Sequence, residues 1–266
     1  MENLALYLLV GVCAGLLSGL LGVGGGVVIV PALAIIFKNL SVPEDVVLHM
    51  AIGTSLATIV MTSLSAIYAH HRRETIQWPL ARQLMPGLVL GSLGGAAIAD
   101  YLHSDSLQLL LGLFILLVAL QIGLGIEPAP YKQLPGRAGM GLAGGGIGIL
   151  SALFGIGGGL VTVPFLVWRN VPMRFATATS AVCGLIIALT GAAGFIVVGE
   201  DSLPAASPLA RWSSGFVYWP AFIGITATSI LAAPLGAWLA HRLSVRWLRI
   251  VFAFVLALTA LKILAQ

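Results

Sequence analysis

Charge is the scarcest commodity of this chain. Only 8% of its 266 residues are Asp, Glu, Lys or Arg, against 59% apolar residues, too few to give a soluble surface to a chain of this length. Cysteine is nearly absent as well: Cys13 and Cys183 both sit in apolar runs, where a thiol acts as a small hydrophobe, so neither a disulfide framework nor a metal cluster is expected. The motifs of catalysis are missing. There is no G-x-S-x-G, no H-E-x-x-H, no pair of carboxylates inside an apolar run and no cysteine-histidine cluster. The glycine-rich stretches lack both the Lys-Ser/Thr of a P-loop and the glycine spacing of a dinucleotide turn, so ATP-driven transport is not encoded. A pI near 9.4 would suggest nucleic acid in a soluble protein, but no polybasic run or aromatic-basic patch supports that partner. His70-His71-Arg72-Arg73 has no carboxylate or cysteine beside it and is read as a topology signal rather than a metal site. No enzyme activity, no cofactor, no metal and no nucleic acid are expected.

What fills the chain instead is apolar sequence in blocks long enough to cross a bilayer, with a mean hydropathy of +1.06. The blocks fall at roughly 4–37, 46–69, 77–99 and 106–126, then 138–168, 175–199, 216–240 and 247–265. The first could pass for a signal peptide, yet Glu2 stands where a basic region belongs and the stretch has a counterpart later, so it is read as part of the fold. Gly22 to Pro31, GVGGGVVIVP, returns as GIGGGLVTVP, Gly155 to Pro164; residues 18–33 and 151–166 share ten of sixteen positions. Thr54-Ser55 falls opposite Thr179-Ser180, His49 opposite Arg174, and Trp78-Pro79 opposite Trp219-Pro220. The expected organisation is one transmembrane domain of two repeats, 1–126 and 138–266, joined by a polar connection at 127–137.

The first segment of each repeat is too long for one crossing, and topology follows from how it is treated. If each crosses once, the basic residues divide evenly between the two sides. If each turns at its glycines and returns, ten share one face (Arg72, Arg73, Arg82, Lys132, Arg137, Arg169, Arg174, Arg242, Arg246, Arg249) and only Lys38, Arg211 and Lys262 take the other. The positive-inside rule then makes the basic face cytoplasmic and places both termini in the periplasm, for a multi-pass protein of a bacterial inner membrane. Each half holds an odd number of full crossings under this reading, so the halves lie upside down to one another, an arrangement of transporters. The fold class expected is an all-α polytopic membrane protein, an inverted repeat of two halves, each a glycine-broken helical hairpin plus three transmembrane helices.

Function is expected at the breaks. Lipid cannot satisfy a backbone interrupted at membrane depth, so such a break is buried in protein or lines a cavity. A returning helix presents free N–H groups and about half a positive charge at its start, an anion site without a side chain. Gly24, Gly25 and Gly26 on one side and Gly157, Gly158 and Gly159 on the other are the candidate backbone ligands, their glycines allowing positive φ and close approach. Pro31 and Pro164 suit the start of the returning helices. Thr54, Ser55, Thr179 and Ser180 lie about 13 Å along their helices, at half the depth of the hydrocarbon. They are candidate anion ligands, or else hydroxyls bonded to their own helix or a neighbour. His49 and Arg174 start those helices and are candidates to gate or steer an anion at the two mouths, or to snorkel to water.

The doubled motif L-x-G-V/I-G-G-G-x-V-x-V-P, with a Thr-Ser pair in the following helix, resembles the TauE/SafE family of sulfite exporters, and the resemblance covers essentially the whole chain. It implies an inner-membrane permease for a small sulfur-containing anion such as sulfite, thiosulfate or a sulfonate. The corresponding expectation is a secondary transporter, an exporter, working by alternating access around a midplane site. An anion channel or passive pore is the alternative, with a membrane protein that handles a sulfur species chemically behind it. The partners expected are the anion and the lipid bilayer, with a homodimer left open.

Overall fold

The computed structural model describes residues 2–21, 25–40, 42–124, 134–200, 209–240 and 245–265. Among them the chain forms ten helices and one short hairpin: α1 (Glu2–Leu21), α2 (Gly26–Asn39), α3 (Glu44–His71), α4 (Trp78–Tyr101), α5 (Ser104–Gly123), α6 (Arg137–Leu153), α7 (Gly159–Trp168), α8 (Met173–Val198), β1 (Ser213–Ser214), β2 (Val217–Tyr218), α9 (Trp219–Ala240) and α10 (Val245–Leu264). Five of these, α3, α4, α5, α8 and α9, are long and apolar enough to span a membrane. Leucines 90, 117, 142 and 231 are well exposed on the outer surface of the bundle, as expected where a helix faces lipid tails rather than water. Gly22, Gly24, Lys132 and Arg242 lie outside the described residues, as does most of the 127–137 connection.

The two long segments do break at their glycines. α1 ends at Leu21 and α2 begins at Gly26, where a Cβ on Gly25 would sit 3.0 Å from Cβ of Ala14, so the chain has folded back along α1. Tyr7 near the start of α1 and Phe37 near the end of α2 both set their rings against Tyr218, at 6.3 and 5.8 Å. α2 therefore returns to the end from which α1 set out. Pro31 and Pro164 are each the sixth residue of their helix, just after its first turn. Each withholds an N–H from the carbonyl four residues back, that of Val27 or Leu160.

At the centre, α3 and α8 run antiparallel: Ser63 faces Gly184, Leu56 faces Gly191 and Gly53 faces Phe195. Two parallel pairs flank them. In α4 and α6, Gly87 approaches Gly141, Gly91 approaches Gly145 and Gly95 approaches Ile149; in α1 and α9, Tyr7 meets Gly224, Gly15 meets Ser229 and Leu16 meets Gly236. Small residues let the backbones close to a distance at which any side chain would collide. On the outside α5 and α10 run antiparallel, Gly112 against Leu264 and Gly123 against Ala253.

Pairing thus exchanges elements between the halves. α1 packs on α9 while its counterpart α6 packs on α4, the counterpart of α9. The same exchange holds for single bonds. Thr54 accepts the backbone N–H of Tyr218 (3.0 Å), and Thr179 accepts that of Gln77 (3.1 Å), the residues that precede Trp219 and Trp78.

The symmetry fails between α8 and α9. Where α3 and α4 are joined by six residues, α8 and α9 are joined by 199–218, which includes the β1–β2 hairpin. Gly215, at φ +52°, turns it, and Phe216 and Val217 are buried.

Candidate functional site

The breaks of the two halves touch. A Cβ on Gly26 would sit 2.5 Å from the carbonyl oxygen of Gly155 and 3.0 Å from Cα of Ile156, so only glycine permits this contact. Gly155 has φ +64° and a would-be Cβ 3.0 Å from Cα of Ile52, the one place at the second break where conformational freedom as well as size demands glycine. Gly25 and Gly158, which precede the returning helices, have ordinary helical backbone instead, with φ of −73° and −51°. The positive φ that glycine allows is not used at Gly25 or Gly158; Gly25, Gly26, Gly157 and Gly158 serve close packing. Ile59 of α3 lies against both breaks, 3.0 Å from the would-be Cβ of Gly26 and 3.2 Å from that of Gly157.

Each returning helix opens with donors that its own helix does not use. In α2 the first intrahelical bonds run from Val28 and Ile29 to the Gly25 carbonyl; in α7 the first runs from Thr162 to Gly158 at 2.8 Å. The amides ahead of them have no partner within the helix and carry the positive end of its dipole. Gly26 and Gly157 share Ile59 as a neighbour, Gly158 lies against Gly184 of α8, Gly25 packs on Ala14 of α1, and Gly159 opens α7.

The hydroxyl residues divide. Thr54 and Thr179 are fully buried, and their oxygens accept N–H groups from the opposite half, which leaves each hydroxyl proton for another acceptor. Ser55 donates to the Gly155 carbonyl at 2.8 Å and so ties α3 to the second break; Ser180 donates to Thr177 in its own helix. His49 is buried, its Nε2 2.8 Å from the Ala99 carbonyl and its ring 5.2 Å from Phe216. Because a carbonyl can only accept, Nε2 carries a proton, and Nδ1 has no hydrogen-bond partner among the described residues. Arg174 is exposed at the start of α8, its guanidinium 4.4 Å over the ring of Phe175.

Two further hydroxyls border the second break. Ser151 in the last turn of α6 and Thr162 in the first turn of α7 are buried, and neither hydroxyl has a partner among the described residues. Sequence reading passed over both, and over Ile59. The available signal was a mismatch between repeats, since Thr162 stands where the first motif has Ile29. Among the described residues no group of His, Cys, Asp or Glu is arranged to hold a metal ion.

Paired broken helices meeting inside a bundle of apolar spans define a polytopic membrane transporter. The chain belongs to the family described as Sulfite exporter TauE/SafE, whose model matches residues 7–263. It is 36% identical to a probable membrane transporter protein of Haemophilus influenzae, over 96% of each chain. It is also 29% identical to one of Methanocaldococcus jannaschii, over 97% of this chain and 94% of that one. The probable membrane transporter protein YunE of Bacillus subtilis is 30% identical over 74% of this chain and 80% of its own. No solved structure matches the chain.

Proposed function

We propose that the protein is a secondary transporter that exports a small sulfur-containing anion of the sulfite class across a bacterial inner membrane. The observation that carries this reading is the meeting of the two breaks at Gly26 and Gly155, which brings the positive starts of α2 and α7 into one buried region. The fold is read as an inverted repeat, supported by the directions of packing: α1 runs parallel to α9 and α4 parallel to α6, while α5 and α10 are antiparallel. Gly25, Gly26, Gly157, Gly158 and Gly159 offer backbone amides to the anion, with Thr54 and Thr179 as hydroxyl donors. Ser55 and Ser180 shape the ends of the site, and Arg174 draws the anion in from the basic face.

Alternating access is favoured over an open pore by Ile59, which fits against both breaks and closes the space between them. His49, fixed between Ala99 and Phe216, belongs to the gate at the other face. A membrane potential that is positive outside would drive export at about 2.3 kcal/mol per charge per 100 mV, without need of a coupling ion.

Transport of radiolabelled sulfite and thiosulfate into proteoliposomes tests the reading. Gly158→Leu should abolish it, because the new side chain would start 3.1 Å from Ile187 and from the Gly184 backbone, while Arg174→Ala should raise the apparent KM. Counterflow of labelled anion is expected of a carrier. Uptake at the wild-type rate in Gly158→Leu, or single-channel currents in place of counterflow, would overturn it.

A further inference from the structure

The two breaks differ in a way that the repeat hides. At the first, α2 begins with apolar side chains, and Ile29 is buried where its counterpart in α7 is Thr162. At the second, the Thr162 hydroxyl is 0% exposed, has no hydrogen-bond partner among the described residues, and lies 3.2 Å from the position that a Cβ on Gly158 would occupy. It therefore faces the opening turn of its own helix. A buried hydroxyl without a partner is costly, and a threonine in a helix ordinarily avoids the cost by bonding the carbonyl four residues back.

The surroundings point to the same place. Gly184 of α8 has no side chain, and the point its Cβ would take is 3.4 Å from the amide nitrogen of Gly158 and 3.4 Å from Oγ of Ser63 on α3. An amide at a helix start and the Ser63 hydroxyl thus border one Cβ-sized space, and the Thr162 hydroxyl borders the adjoining point at Gly158, whose would-be Cβ is 3.1 Å from the Gly184 amide nitrogen. The matching position on α3 is Ile59, which fills the corresponding space at the first break.

We infer that the anion site is lopsided: the oxyanion is held closer to the start of α7, with the Thr162 hydroxyl as a direct ligand and Gly184 kept bare to admit it, while the first break adds backbone amides and dipole but no side-chain ligand from α2. The inference rests on the anion-transport reading above and adds the residues that set selectivity. In the present conformation the space takes a methyl group, so anion entry goes with withdrawal of α3, which carries both Ser63 and Ile59.

The test is sulfite binding to the purified full chain in detergent, by calorimetry, with thiosulfate and chloride as competitors. Thr162→Val keeps the shape and removes the hydroxyl, and it should weaken sulfite binding about tenfold or more, as loss of a hydrogen bond to a charged group does. Thr162→Ser should restore binding. Without anion, Thr162→Val should melt at or above the wild-type temperature, because it removes an unsatisfied polar group; a purely structural hydroxyl would lower the melting point instead. Gly184→Ala should fold, since its contacts of 3.4 Å are ordinary, and should bind sulfite poorly. Wild-type affinity in Thr162→Val would overturn the inference and leave the transporter reading standing. Absence of sulfite and thiosulfate binding to the wild-type chain would count against that reading itself.

Discussion

Thr54 and Thr179 each hold a strand of chain from the other half of the molecule by accepting the N–H of the residue before a Trp-Pro pair. Replacing either with Val keeps its volume but strands a partly buried N–H, at a cost of about 1–3 kcal/mol. Thermal unfolding in detergent should show a midpoint lowered by several degrees for Thr54→Val and for Thr179→Val, with Ser at either position recovering most of it. A Val variant that melts with the wild type would show that the bond contributes nothing. The presence of hydroxyls at this depth was legible from helix rise alone. Their partners were not, because Thr54 meets Tyr218 and Thr179 meets Gln77 across long sequence separations that no local pattern records. Thr162 was hidden for another reason: a β-branched residue inside an apolar motif matches its surroundings in shape, and only comparison with Ile29 exposes the hydroxyl.

Among the elements, the broken helices were the most legible, since apolar segments at 4–37 and 138–168 exceed any single crossing and carry glycine where they must turn. The β1–β2 hairpin was not. Phe216, Val217 and Tyr218 read as the apolar start of the next span, whereas they form the end of the hairpin turn and its second strand, which buries Phe216 against His49 and Phe195 before α9 begins. Three residues are too few for period two to stand apart from period 3.6. The antiparallel fit of α5 and α10 yields an element-level prediction. A Cβ on Gly123 would lie 3.2 Å from Cβ of Ala253, near the separation a disulfide needs. In a background with Cys13 and Cys183 changed to Ser, Gly123→Cys with Ala253→Cys should cross-link on mild oxidation and move faster on a denaturing gel. Parallel repeats would bring Gly123 instead to the end of α10 near Leu264, and a Gly123→Cys, Leu264→Cys pair that cross-links in place of the first would refute the inverted arrangement.

For the whole molecule, sorting of charge follows from the order of helix directions. The ends of α3 and α5 and the starts of α4, α6 and α8 share the face with Arg72, Arg73, Arg82, Arg137 and Arg174, whereas Glu44, Asp45, Asp100 and Asp105 lie at the opposite ends. Basic residues resist translocation, so the arginine face should be cytoplasmic. This predicts where reporters survive. Alkaline phosphatase, which needs the oxidising periplasm to form its disulfides, should be active when fused after residue 266 or inserted between residues 200 and 209, and inactive between residues 124 and 134. A fluorescent protein that folds only in the cytoplasm should give the reverse pattern. Changing Arg72, Arg73 and Arg82 to Gln while adding Lys beside Asp100 and Asp105 should populate the flipped orientation, because that orientation is a difference between two faces rather than a property of any one loop. Phosphatase activity at 124–134 in the unaltered chain would reverse the assignment of faces. Because Gly26 and Gly155 meet inside the bundle, it would leave that contact intact and turn round only the direction in which the proposed anion site opens.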